Sequence, residues 1–97
     1  MPYIVKLSPQ AEADLQNIYI YISKMASPVV ARGYVNRILQ YLAGFDLFPE
    51  RGTLRDDIRP GLRIVGFERR VTIAFFVEGN DVVVLNILYA GRQLPSV

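Results

Sequence analysis

Twice in the first third of the chain a serine is followed directly by proline, at Ser8-Pro9 and Ser27-Pro28. A serine hydroxyl can accept from the unpaired N–H groups that open a helix, and proline's missing donor costs nothing at the first helical position. Each pair is followed by apolar residues three and four apart. After Ser8-Pro9 these are Ala11, Leu15, Ile18, Tyr19 and Ile22, with the polar Glu12, Asp14, Gln16 and Asn17 between them. After Ser27-Pro28 they are Val30, Tyr34, Val35, Ile38, Leu39, Leu42 and Phe45. The spacing predicts two amphipathic helices forming a hairpin. The first is expected to break over Ser23 to Pro28, and the second to end near Phe48-Pro49, because a residue before proline disfavours helical geometry.

Around this hairpin the pattern is extended. Tyr3 to Leu7 reads as a first strand that stops at Ser8-Pro9. From Glu50 to Gly61 neither period holds, and glycine and proline punctuate a polar stretch, which predicts a long loop. The period then shifts to that of strands, over Leu62 to Phe67, Val71 to Val77 and Val82 to Tyr89. The connections Glu68-Arg69-Arg70 and Glu78 to Asp81 are too short for crossovers, so the three strands should be antiparallel neighbours. The expected architecture is α+β in βααβββ order, with the helices on one face of an antiparallel sheet. A length of 97 residues suits one domain over residues 1–97.

Composition narrows the chemistry further. The chain has neither cysteine nor histidine. That removes disulfides, thiolate nucleophiles, the usual zinc sites and every Ser-His or Cys-His pair, leaving carboxylate-bound magnesium as the metal chemistry still open. No cofactor and no protein-bound metal are expected. No apolar run approaches the roughly 20 residues needed to span a bilayer, and the N-terminus does not read as a signal peptide, so the expected compartment is the cytoplasm. Net charge is only +2, but seven of the eleven basic residues follow position 50, all of them arginine. The second half is therefore the candidate surface for an anion, although five acidic residues share it.

At this point the residues resemble a known family. The run Ser8-Pro9-Gln10-Ala11-Glu12-Ala13-Asp14-Leu15, with Ile18, Tyr21 and Ile22, is similar to the opening helix of ParE-type toxins. Phe48-Pro49-Glu50-Arg51-Gly52 resembles their Pro-Gly loop, and Pro60-Gly61-Leu62-Arg63 the entry to their second strand. The likeness continues through Val71 to Val77 and Val82 to Ile87 and closes at Ala90-Gly91-Arg92-Gln93. Each piece is ordinary alone; their order and spacing resemble the ParE/RelE superfamily over nearly the whole chain.

This resemblance implies the toxin of a bacterial type II toxin-antitoxin system, serving plasmid or chromosome maintenance. Its partner would be a ParD-like antitoxin, a ribbon-helix-helix protein whose C-terminal segment wraps the toxin; DNA would be reached only through that complex. ParE-like relatives inhibit DNA gyrase, whereas RelE-like relatives cut messenger RNA on the ribosome, and fold alone does not choose between them.

The residues bear on that choice. Metal-free cleavage of RNA needs a base for the 2′-hydroxyl, an acid for the leaving oxygen and cations for the phosphorane. Val71 to Val77 carries no charge, and the preceding strand offers only Arg63 at its start. A remnant nuclease site would consist of Arg63, Tyr89 and Arg92, with Tyr89 standing where many relatives have histidine. The same three are the expected target contacts if the chain acts by binding. Each also has a plainer role open to it: Tyr89 as an edge aromatic, and Arg63 as a partner for Asp56, Asp57 or a loop carbonyl. For the antitoxin, the expected contacts are Tyr19, Ile22, Tyr34 and Tyr41 on the helices, since tyrosine suits half-wet interfaces, and Arg69 and Arg70 in the hairpin turn. Gyrase capture is the leading expectation. A ribosome-dependent endonuclease, and a degenerate toxin that only binds antitoxin, remain open beside it.

Overall fold

A computed structural model describes residues 2–89. Its elements run β1 (Ile4–Leu7), α1 (Pro9–Met25), α2 (Pro28–Ala43), a short 3-10 turn (Gly44–Asp46), β2 (Thr53–Leu54), β3 (Arg63–Phe67), β4 (Val71–Glu78) and β5 (Asp81–Tyr89). The five strands form one sheet in the order β1-β5-β4-β3-β2. β1 lies parallel to β5, and every other pairing is antiparallel.

Both helices start where the serines place them. The Ser8 hydroxyl accepts from the Ala11 N–H at 3.0 Å and that of Ser27 from the Val30 N–H at 3.2 Å, with proline in the first turn of each helix. The ends differ from expectation. α1 runs on through Ser23 and Lys24 to Met25, because no glycine or proline interrupts the chain before Ser27. α2 stops at Ala43 and tightens into the 3-10 turn, short of Phe48-Pro49. The expected loop also holds a short edge strand: Thr53 and Leu54 pair with Ile64 and Arg63. Gly52, at φ +77°, brings the backbone so close that an added Cβ would lie 2.3 Å from the Ile64 carbonyl oxygen.

Alternation along the strands sorts the sheet's faces. Val71, Ile73 and Phe75 of β4 and Val82, Val84 and Ile87 of β5 are buried beneath Leu15, Ile18, Ile22, Ile38 and Leu42. Burying such a side chain stabilises by about 1.5–3 kcal/mol, which makes this helix-covered face the main stabilising layer. A bulge between Ala74 and Phe75 on β4 and Asn86 and Val84 on β5 leaves Leu85 unopposed. α1 is tied to β5 at this point. The Ser8 N–H donates to the Val84 carbonyl (2.9 Å), the Ser8 hydroxyl to the Leu85 carbonyl (2.9 Å), and the Ile87 N–H to the Asp14 carboxylate (2.9 Å). Asp14, read from the sequence as part of the polar helix face, is in fact buried, with the Gln10 amide on its other oxygen. Its register within α1, next to Leu15 and Ile18, turns it toward the sheet.

No helix among the described residues is long and apolar enough to cross a membrane.

Candidate functional site

The strand registers decide which of the anticipated residues can act together. Arg63 stands opposite Phe75 on β4, whereas Tyr89 stands opposite Val71 at the far end of the same strand. Four residues along the strand, at roughly 3.3 Å each, and two strand spacings of roughly 4.8 Å put their Cα atoms on the order of 16 Å apart. The sheet does not bring Arg63 and Tyr89 into one site. Arg92 lies outside the described residues. The acids suggested for Arg63 are engaged elsewhere: Asp57 holds the Arg55 guanidinium through both oxygens at 2.9 and 2.8 Å, and Asp56 accepts from the Gly61 N–H at 2.7 Å.

What the fold does assemble lies at the Tyr89 end. Tyr89 packs against Tyr21 of α1 at a ring separation of 5.6 Å and, edge to face, against Tyr34 of α2 at 5.7 Å. The Tyr34 hydroxyl is buried and without a hydrogen-bond partner among the described residues. Burial raises its pKa above the ordinary tyrosine value, reinforced by Tyr89 and Glu68 and opposed by Arg37 and Arg70.

Arg37, one helical turn beyond Tyr34, lies 5.0 Å over that ring and reaches across to the β3–β4 turn. There its Nε and Nη2 donate to the two oxygens of Glu68 at 2.9 and 3.1 Å. The pairing holds the Glu68 carboxyl below its ordinary range and raises the Arg37 guanidinium. Glu68 and Arg69 both adopt positive φ, 50° and 64°, with side chains that disfavour it. Arg69 and Arg70 project from this turn and are exposed.

The anticipated antitoxin contacts divide by burial. Ile22 and Tyr34 sit in the core and offer a docking partner little area. Tyr19 and Tyr41 are partly buried, Tyr41 packing on Phe67 at 4.8 Å and edge to face against Phe45 at 5.3 Å. Arg37 and Glu68 were not singled out from sequence, and Tyr21 stood out only as part of the helix that resembles the opening of ParE-type toxins. Only the three-residue step from Tyr34 to Arg37 hinted at Arg37, since it puts a cation beside a ring. Arg51 was missed as well. It donates to the Phe48 and Gly44 carbonyls at 2.7 and 3.0 Å and stacks 4.4 Å over Phe45, fixing the Pro-Gly loop against the end of α2.

Among the described residues no group of three or more His, Cys, Asp or Glu could hold a metal ion.

Residues 5–94 match a family profile described as ParE toxin of type II toxin-antitoxin system, parDE. The chain is 30% identical over 96 residues to Toxin ParE3 of Caulobacter vibrioides, covering 99% of this chain and 94% of that protein. A solved chain of the chromosomal ParDE TA system from P. aeruginosa superposes with a TM-score of 0.80 at 26% identity, covering 91% of this chain and 96% of that one.

Proposed function

The chain belongs to the ParE toxin family of type II toxin-antitoxin systems, and from that membership we propose that it captures DNA gyrase in the cytoplasm. A ParD-like ribbon-helix-helix antitoxin holds it inactive, and the toxin meets operator DNA only through that complex. The whole chain, residues 1–97, acts as a single domain.

One observation favours capture over cleavage. β4 is uncharged from Val71 to Val77, and the two described members of the remnant nuclease set, Arg63 and Tyr89, lie at opposite ends of the sheet. An acid, a base and a phosphorane-stabilising cation must act within a few ångströms of one phosphate. We put target contact at the Tyr89 end. We put the antitoxin along the helical hairpin, over the partly exposed rings of Tyr19 and Tyr41, with the buried Ile22 and Tyr34 shaping that surface from beneath.

Purified toxin is expected to stop gyrase supercoiling or accumulate cleaved DNA complexes, while leaving transcripts whole in a translating extract. Undiminished supercoiling at excess toxin sinks the proposal. Cut messages would revive the endonuclease reading, and absence of growth arrest without antitoxin would leave only an antitoxin-binding module.

A further inference from the structure

The end of the molecule where β3 turns into β4 has a charge unlike the rest. Tyr21 packs beside Tyr89, the last described residue of β5, so the final turn of α1 overhangs the described end of that strand at about 1.5 Å per residue. α2 starts from the same overhang, and Arg37 ties it to the β3–β4 turn. The helix tip and this turn hold five of the eleven basic residues, Lys24, Arg32, Arg37, Arg69 and Arg70, but one of the nine acidic ones, Glu68. The chain as a whole is only +2, so the remainder is net negative. Arg37 neutralises Glu68; the other four cations are exposed and form no ion pair among the described residues.

Apolar side chains stand beside Lys24 and Arg32 on the helix tip. Met25 is 70% exposed, Val29 72% and Tyr21 48%. Arginine, tyrosine and methionine, with hardly any carboxylate, is the composition of a protein–protein contact and not of a solvated, charge-mixed face. A nucleic-acid backbone would use the cations but gain little from an exposed methionine and valine. A polypeptide surface with an apolar centre and an acidic rim complements both. The turn adds independent support. Positive φ favours Gly, Asn and Asp, yet the first two residues of this three-residue turn, at φ 50° and 64°, are Glu68 and Arg69. Backbone strain is kept where side chains are needed.

We propose that this basic, apolar-centred pole is the surface with which the toxin grips its target, and that the matching surface is an acidic polypeptide face with an apolar centre. The proposal rests on the toxin reading above. It keeps Tyr89 near the target and assigns Arg69 and Arg70 there instead of to the antitoxin.

The test expresses the full chain without antitoxin and counts viable cells, alongside calorimetric titration with the cognate antitoxin. The charge reversal Arg69→Glu/Arg70→Glu is expected to restore viability tenfold or more. Met25→Ser/Val29→Ser should restore it partially, and both should leave antitoxin affinity unchanged. Arg69→Gly guards against misfolding: relieved of positive-φ strain, it should melt at a higher temperature and yet arrest growth less. Arrest by the charge-reversed protein at wild-type strength overturns the pole. A parallel loss of antitoxin affinity overturns it in favour of the antitoxin. Binding of the wild type to a short labelled DNA duplex, abolished by the same reversal, overturns it in favour of nucleic acid. If the wild type itself arrests nothing, the toxin reading fails, and the pole with it.

Discussion

The two helices are alike in length and apolar spacing, yet they are held to the sheet in opposite ways. α1 is tied to β5 by the half-buried Ser8 hydroxyl, which donates to the Leu85 carbonyl at the bulge, and by the buried Asp14 carboxylate, which accepts from the Ile87 N–H just beyond it. α2 packs on α1, and its described polar tie to the sheet is the exposed Arg37–Glu68 pair. The difference lies in dielectric surroundings. A buried acceptor that is removed leaves an N–H with no water to replace it, whereas an exposed ion pair trades readily with solvent. α1 should therefore be the fixed element and α2 the adaptable one.

Asp14→Ala is the harshest test, because it leaves the Ile87 N–H buried and unpaired. We expect a loss of about 1–3 kcal/mol in chemical denaturation. Asp14→Asn, which keeps one acceptor, should lose visibly less; equal losses would mean that Asp14 acts through packing instead. Ser8→Ala comes next, at about 0.5–2 kcal/mol, since it removes the helix cap together with the donor to Leu85. If it also speeds hydrogen exchange at the β5 amides flanking the bulge, the tie between α1 and the bulge is established.

How far the sequence carried this contrast depends on the range of each interaction. Ser8 and Ser27 were legible as helix starts because a cap satisfies donors only a few residues away. The overrun of α1 to Met25 was not, since nothing local marks its end. Asp14 was misread as surface because its partner, the Ile87 N–H, is 73 residues distant. The pairing of β1 with β5 and the bulge are likewise non-local. The same holds for the site. Tyr89 and Arg63 were visible as residue types, but their separation follows from strand register, and Arg37 gains meaning only through Glu68, 31 residues away.

On the α2 side the effects should be smaller. Tyr34→Phe removes a buried hydroxyl that has no partner among the described residues, so it should be neutral or gain up to about 1 kcal/mol. It should also blunt a loss of stability at alkaline pH. A folded-state pKa raised above the ordinary tyrosine value makes the folded form the more protonated one, so stability falls as pH rises past that value. The smallest change is expected from Glu68→Gln, a shift in melting temperature near the limit of detection at neutral pH. Its mark should be in acid. The Glu68 pKa is depressed, so the pair's contribution is present above the ordinary glutamate pKa and fades as pH falls through the lowered one. The variant should lack that acid-side step. A loss as large as that of Asp14→Ala would break the contrast between the helices.

Gly52 bears on how the outer edge of the sheet is protected. Strand β2 is two residues long, yet it covers part of the outer edge of β3, and it lies there only because the backbone at Gly52 can approach the Ile64 carbonyl without a side chain. An uncovered edge offers its N–H and C=O groups to any passing strand, the usual route to edge-to-edge aggregation. One missing methyl group thus keeps the sheet from growing into its neighbours.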